Sequence, residues 1–305
     1  MINFADASPG QSAEHREVLF HRLIESHKNS PQNGCKSFFE EISPTDRLRE
    51  SFLRAATKFR APVSGKLTPV VVALLERAKE DLVALRLHDL DHRDDAWVMA
   101  AGLPIYVALF GRDALTASWE AALLGPEMMR GTLAELPRWQ GKEVNDWRDE
   151  QPGRMLHEAH DNPLAALQFN PQSRYYGSIT TSAFYPVVVS ELWHWTGKKD
   201  LIYPLLQPAM NAIRWLDHYT QLLGDGFHYY QTRSEQGGKH QGWKDSGDAI
   251  VYDDGTQVDP PIATCEEQGF VYALKAAVRR SPLVDGQKGR STTIVPGSKG
   301  TQEAL

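Results

Sequence analysis

The chain is poor in features that would place it in several large protein classes. Among 305 residues there are only two cysteines, Cys35 and Cys265, far apart in sequence. Two such residues make neither a disulfide framework nor a zinc site, and they suit a reducing cytosol. No apolar run approaches the roughly 18 to 20 residues that a membrane helix needs. The opening MINFADASPG lacks the basic and apolar regions of a secretory signal, so a cytoplasmic chain with no membrane partner is expected. Positive charge is also in short supply. Thirty-three Lys and Arg face 39 Asp and Glu, for a net charge of −6, so a broad basic face for nucleic acid is not expected. Hydrophobic residues at 41% and charged residues at 24% exclude a disordered or collagen-like chain. What the chain does have is aromatic side chains, 10% of the total with eight Trp. Rings of this size serve either large cores or clefts in which a flat face meets a sugar ring.

Helical periodicity dominates after residue 65. Thr68-Pro69 reads as a helix start, followed by Val71, Leu74, Leu75, Ala78, Leu82 and Leu85 on one face. A second helix is expected from about Asp113, stopped by Gly125-Pro126, and a third, short one from Pro126 to about Leu136-Pro137. Others carry Phe184 to Trp195 with Gly197 as the stop, Ile202 to Leu216 with Gly224 beyond, and Cys265 to Arg279. Before residue 65 the pattern is weaker, with Val18 to Ile24 and Leu48 to Ala56 as helix candidates. Nothing alternates as βαβ, so the fold class is all-α. Three regions follow: an N-terminal helical segment over 1–65, a larger helical region over 66–280, and an unpatterned tail over 281–305. Gly286, Gly289, Gly297 and Gly300 break any period in that tail, and disorder is expected there.

Several local strings fail as motifs. His157-Glu158-Ala159-His160 spaces its histidines three apart, where a zinc-protease helix needs four. Gly286 to Thr292 lacks the Gly-Lys-Ser/Thr order of a phosphate loop. Asp245, Asp248, Asp253 and Asp254 lack the spacing and terminal Glu of a calcium loop. No metal and no cofactor are therefore expected. The segment Gln241 to Gln268 is the most informative. It joins Trp243 to Asp245 and Asp248, then adds Glu266 and Glu267 after a proline turn. Glycoside hydrolysis needs two carboxyl groups flanking the scissile bond, and a Trp beside one supplies a platform and an apolar wall. Asp-Ser-Gly-Asp is equally ordinary turn chemistry.

Five ordered strings extend from about Leu82 to Ala277. They are Ala100–Pro104 with Leu109–Asp113; Trp147–Glu150 with Pro152–Arg154 and Leu156–Glu158; Tyr175–Ile179; Gln241–Ser246; and Pro261–Ala263 with Cys265-Glu266 and Gln268–Tyr272. With these the chain resembles the catalytic domain of bacterial glycogen-debranching, amylo-α-1,6-glucosidase-type proteins, (α/α)6-toroid enzymes related to trehalases. The resemblance implies a toroid, here expected to be incomplete, with about seven helices after residue 65 against the family's twelve. The β-sandwich that usually precedes the toroid has no counterpart in residues 1–65. The resemblance also implies an inverting hydrolase of α-linked gluco-oligosaccharides or glycogen-type branches. Asp245 or Asp248 would be the general acid, and Arg112, Asp113, Tyr176, Trp243, Lys244 and Glu266 would bind the substrate. Helix-capping or helix-dipole roles remain open for Asp113 and Glu266, and a structural pairing for His157 and Glu158. Thr180 stands where the family usually has an aspartate. Two other readings stay open: an inactive fragment that keeps part of the sugar cleft, and an α/α-barrel sugar isomerase or epimerase using His157, His160 and His240. The helix faces of an open half-toroid imply self-association.

Overall fold

The computed structural model describes residues 44–59, 68–87, 90, 96–160, 167 and 170–280. The expected helix over Val18 to Ile24, most of the 1–65 segment and the 281–305 tail lie outside these residues.

The described residues are mostly helical. The longer helices are α1 (Pro44–Ala55), α2 (Thr68–Ala84), α3 (Gly111–Glu120), α4 (Glu127–Glu135), α5 (Thr180–Thr196), α6 (Leu206–Tyr219) and α7 (Cys265–Arg280). α5 is the hub. Every residue from Thr180 to Pro186 is buried, as are Val188, Val189, Ser190 and Leu192, so all but the last turn of this helix is enclosed on all sides rather than along one stripe. α3, α4, α6 and α7 all pack on it. Gly197 ends it in the left-handed conformation, φ +62°, donating its N–H to Trp193 O. Leu115, Met129, Leu133, Leu156 and Tyr185 fill the main core. A second cluster, around Ile179, Trp215, Tyr230, Val271 and Leu274, joins α5, α6 and α7. A third puts Phe52 of α1 edge-on to Trp97, with ring centroids 5.3 Å apart.

α2 begins at Thr68, where the Thr-Pro start is written. Its apolar face, however, does not turn inward. Val70, Val71, Leu74 and Leu75 are exposed, while Lys79 and Val83 are buried. The rotation follows Lys79, whose ammonium sits 2.6 Å from Glu76 and donates to Thr57 O at 3.0 Å. A buried ammonium must find acceptors, and these fix the face that packs.

A small sheet was not foreseen in the sequence. Strands β1 (Leu109–Phe110), β2 (Glu158–Ala159) and β3 (Arg174–Tyr175) pair antiparallel in the order β1-β2-β3, with Phe110 opposite Glu158 and Glu158 opposite Tyr175. Two-residue strands are too short to show a period of two. The sheet matters because β1 runs straight into α3. Gly111 makes the junction: its N–H donates to His157 O at 2.8 Å, and a Cβ there would lie 2.2 Å from Leu156 O. Among the described residues no helix is long and apolar enough to cross a membrane.

Candidate functional site

The β1–α3 junction delivers Arg112 to the first turn of α3, where it is 7% exposed. From there one guanidinium organises the loop that follows Gln241. It donates to Gly242 O at 2.8 Å, to Trp243 O at 3.3 Å and to Asp245 Oδ2 at 2.9 Å. The same guanidinium lies over the Trp243 ring, 5.2 Å from its centroid. Charge-assisted hydrogen bonds and a cation–π contact thus fix a tryptophan and a carboxylate side by side. Both still meet solvent. Trp243 is 40% exposed and the Asp245 side chain 30%.

The sheet supplies the opposite wall. His157 Nε2 stands 3.7 Å from Asp245 Oδ2, an electrostatic contact too long for a hydrogen bond. Burial above all, aided by the positive Arg112 and Arg154, pushes the His157 pKa down to about 3, so the ring is neutral at physiological pH. Phe110 and Tyr175 meet its ring edge-on, with centroids at 6.1 and 5.8 Å. Glu158 pairs with His160 at 2.7 Å. Among the described residues no group of three or more His, Cys, Asp or Glu could hold a metal ion.

The first turn of α7 closes the cluster with Glu266 and Glu267. Burial raises the half-buried Glu266 above the usual carboxyl range, and Asp245 adds to the rise. Arg112, the Trp243 backbone and Lys244 oppose it. Glu267 is completely buried and receives a hydrogen bond from Thr180. Burial above all pushes its pKa up to about 8, with Glu266 contributing, while the Thr180 bond and Arg112 pull the other way. One oxygen of each glutamate is buried with no partner among the described residues. Asp245, Glu266 and Glu267 therefore share one arginine in three different environments. Carboxyls set apart in this way can divide acid and base roles.

The chain matches no family model and no curated protein.

Geometry alone thus judges the residues singled out from sequence. Arg112, Trp243, Asp245 and Glu266 come together, with the exposed Lys244 beside them. Asp113 lies in the first turn of α3, 44% exposed, its carboxylate 3.8 Å from Arg112 Nε; it is not the helix N-cap, a position that falls to Phe110. Asp248 is an exposed turn residue whose carboxylate accepts from Ser246, and no contact among the described residues joins it to Arg112. Tyr176 must be reassigned. It has no exposed surface to offer a ligand, and its hydroxyl donates to Trp139 O at 2.6 Å and accepts from Arg174. Directly after β3, its ring turns into the main core, where a hydroxyl with two partners is fully satisfied. Thr180 likewise faces Glu267 inside the protein; an aspartate there would set a second carboxylate against a buried one.

The sequence placed Glu267 in the Gln241–Gln268 segment without giving it a role, and the support beneath the loop was missed. Glu267, Val271 and Leu274 are spaced i, i+4, i+7, and all three are buried, so helical period could have found that face. Beneath the loop, Asp149 accepts from Tyr175, Thr232, Gln241 and the Arg233 N–H, while Arg154 donates to Gln241 Oε1 at 2.6 Å. Asp149 adopts φ +55°. No local pattern announces these partners, which are up to 92 residues apart.

Proposed function

We propose that the chain is a glycoside hydrolase acting on α-linked gluco-oligosaccharides or glycogen-type branches, as the five ordered motifs imply. The observation that carries this reading is the seating of Trp243 and Asp245 by Arg112 against the Glu266 carboxyl. The reading takes the helices as part of an (α/α)6 toroid. It uses the solvent-facing ring of Trp243 as the platform for a terminal glucose, with Arg112 and Lys244 donating to its hydroxyls. Hydrolysis by inversion needs a proton delivered to the leaving oxygen and a water activated from the other face, by carboxyls roughly 6.5 to 9.5 Å apart. Asp245 is assigned as the acid, being the aspartate that touches the cluster, with the Glu266 carboxyl within its electrostatic reach. Neutral His157 and the ring of Phe110 line the sheet side. No metal or cofactor enters this chemistry. Self-association belongs to the same reading, since α2 turns Val70, Val71, Leu74 and Leu75 outward.

The isomerase reading draws on His157, His160 and His240. His240 is buried and both its ring nitrogens face backbone carbonyls, at 3.2 Å from Ser246 O and 3.3 Å from Val258 O, which favours a structural role. The test is release of glucose from maltose, isomaltose and panose by the wild-type chain and by Asp245→Asn. Glucose release with the inverted anomer seen first by NMR, lost in the variant, supports the proposal. A folded wild-type chain that releases none from any of the three supports the reading of an inactive fragment instead. Interconversion of free sugars without hydrolysis supports the isomerase.

A further inference from the structure

Away from Arg112, a cavity of about 200 Å³ opens beside α6. At about 30 Å³ per water, this is room for roughly seven waters, a volume suited to one small ring. Gln151, Arg154, Trp215 and Tyr230 are its buried walls, with Tyr219 and Arg233 nearer solvent. The charge of this lining is one-sided: two guanidiniums and no Asp or Glu.

The nearby carboxylates are already engaged. Asp146 holds Arg233 Nε at 2.6 Å, and Asp149 accepts from Tyr175, Thr232, Gln241 and the Arg233 N–H. Arg154 is 2% exposed, yet its hydrogen bonds go to a backbone carbonyl of Asp149 and the amide oxygen of Gln241, neither a charged acceptor. Its Nε–H has no partner among the described residues, whereas the Tyr230 hydroxyl is sealed from solvent and lies in the field of Glu267 and Glu266. The terminal nitrogens of Arg233 likewise have no hydrogen bond among these residues, beyond the Nε bond to Asp146. Trp215 donates its indole N–H to Gln151 Oε1 at 2.8 Å and lies under Arg154, 4.8 Å from guanidinium carbon to ring centroid. The wall is therefore fixed before any ligand arrives, which lowers the ordering cost of binding.

From this cavity we infer a second binding site, for an anionic monosaccharide. The guanidiniums take the phosphate or carboxylate, while the Gln151 amide and the Tyr219 hydroxyl take the ring hydroxyls. Arg112, Trp243 and Asp245 are not in its lining, and the inference does not depend on the hydrolase proposal.

Calorimetric titration of the full chain with glucose 6-phosphate, glucuronate, glucose and inorganic phosphate tests it. At least one anionic sugar should bind about tenfold or more tighter than both glucose and phosphate. The tighter of the two tells whether the anion is a phosphate ester or a carboxylate. Arg233→Gln, at the rim and outside the core, should weaken that binding about tenfold or more, whereas Asp245→Asn should leave it unchanged. Failure of both anionic sugars to bind would overturn the inference. So would affinity matched by glucose or by phosphate alone, insensitivity to Arg233→Gln, or loss of binding in Asp245→Asn.

Discussion

Two regions of this protein are built from the same three residue types and end in opposite states. In one, Arg112 lies 5.2 Å over Trp243 and holds Asp245; in the other, Arg154 lies 4.8 Å over Trp215 beside Asp149. Trp215 is 3% exposed and Asp149 not at all, whereas Trp243 is 40% exposed. The difference lies in how fully the acid is used. Asp149 accepts from four donors and ties residues 149, 175, 232, 233 and 241 together. Asp245 accepts from one arginine and keeps an edge towards solvent. An acid with every lone pair occupied is structural, and one with an open edge is available for chemistry.

Exchanging the acids gives the largest expected contrast. Asp149→Ala strands several buried donors and should cost about 5 kcal/mol in urea unfolding, or prevent folding. Asp245→Ala should cost only about 1 kcal/mol, because Arg112 keeps its two carbonyl acceptors. The same variant should remove the proposed glucose release by about 100-fold or more, measured under single-turnover conditions. Comparable destabilisation by the two variants would break the contrast.

The tryptophans should separate in the same direction by a smaller margin. Trp215→Ala opens a cavity in the α5–α6–α7 core and is expected to cost about 3 to 5 kcal/mol. Trp243→Ala loses mainly an exposed cation–π contact and should cost less than about 1 kcal/mol, while raising KM for panose. Thermal unfolding of both variants, with KM for the second, checks this.

The last contrast is one of pH. Glu267 has an ordinary carboxyl pKa near 4.5 when unfolded and about 8 when folded. Between these values the native protein holds a proton that the unfolded chain releases, so stability falls as pH rises through that window and levels off above it. Glu267→Gln keeps an acceptor for Thr180 and carries no titrating proton. Its stability between pH 5 and about 8 should be flatter than that of the wild type, as read from urea midpoints at several pH values. Parallel profiles would show that Glu267 titrates normally in the folded chain.

Much of the helical frame was legible in the sequence. Thr68-Pro69, Gly125-Pro126 and Gly197 mark boundaries that the structure keeps, and the apolar spacing from Phe184 to Leu216 forms helices and the helical turns between them. Part of the site was legible too, because Trp243, Asp245 and Glu266 are close in sequence and chemically conspicuous. The three two-residue strands were not, since they form by pairing separate segments, the β1 and β2 partners standing 48 and 50 residues apart. The inward turn of Tyr176 and the outward turn of the α2 apolar face were hidden for a related reason. Periodicity tells which residues share a face but not which way that face turns.

The chain by itself determined where helices start and stop and which residue types lie together between Gln241 and Gln268. Those are local matters of dihedral preference and spacing. Only the tertiary structure decided which acid would be sealed and which left open. That choice depends on desolvation and on donors supplied from distant segments: Arg112 for Asp245, and Tyr175, Thr232, Arg233 and Gln241 for Asp149.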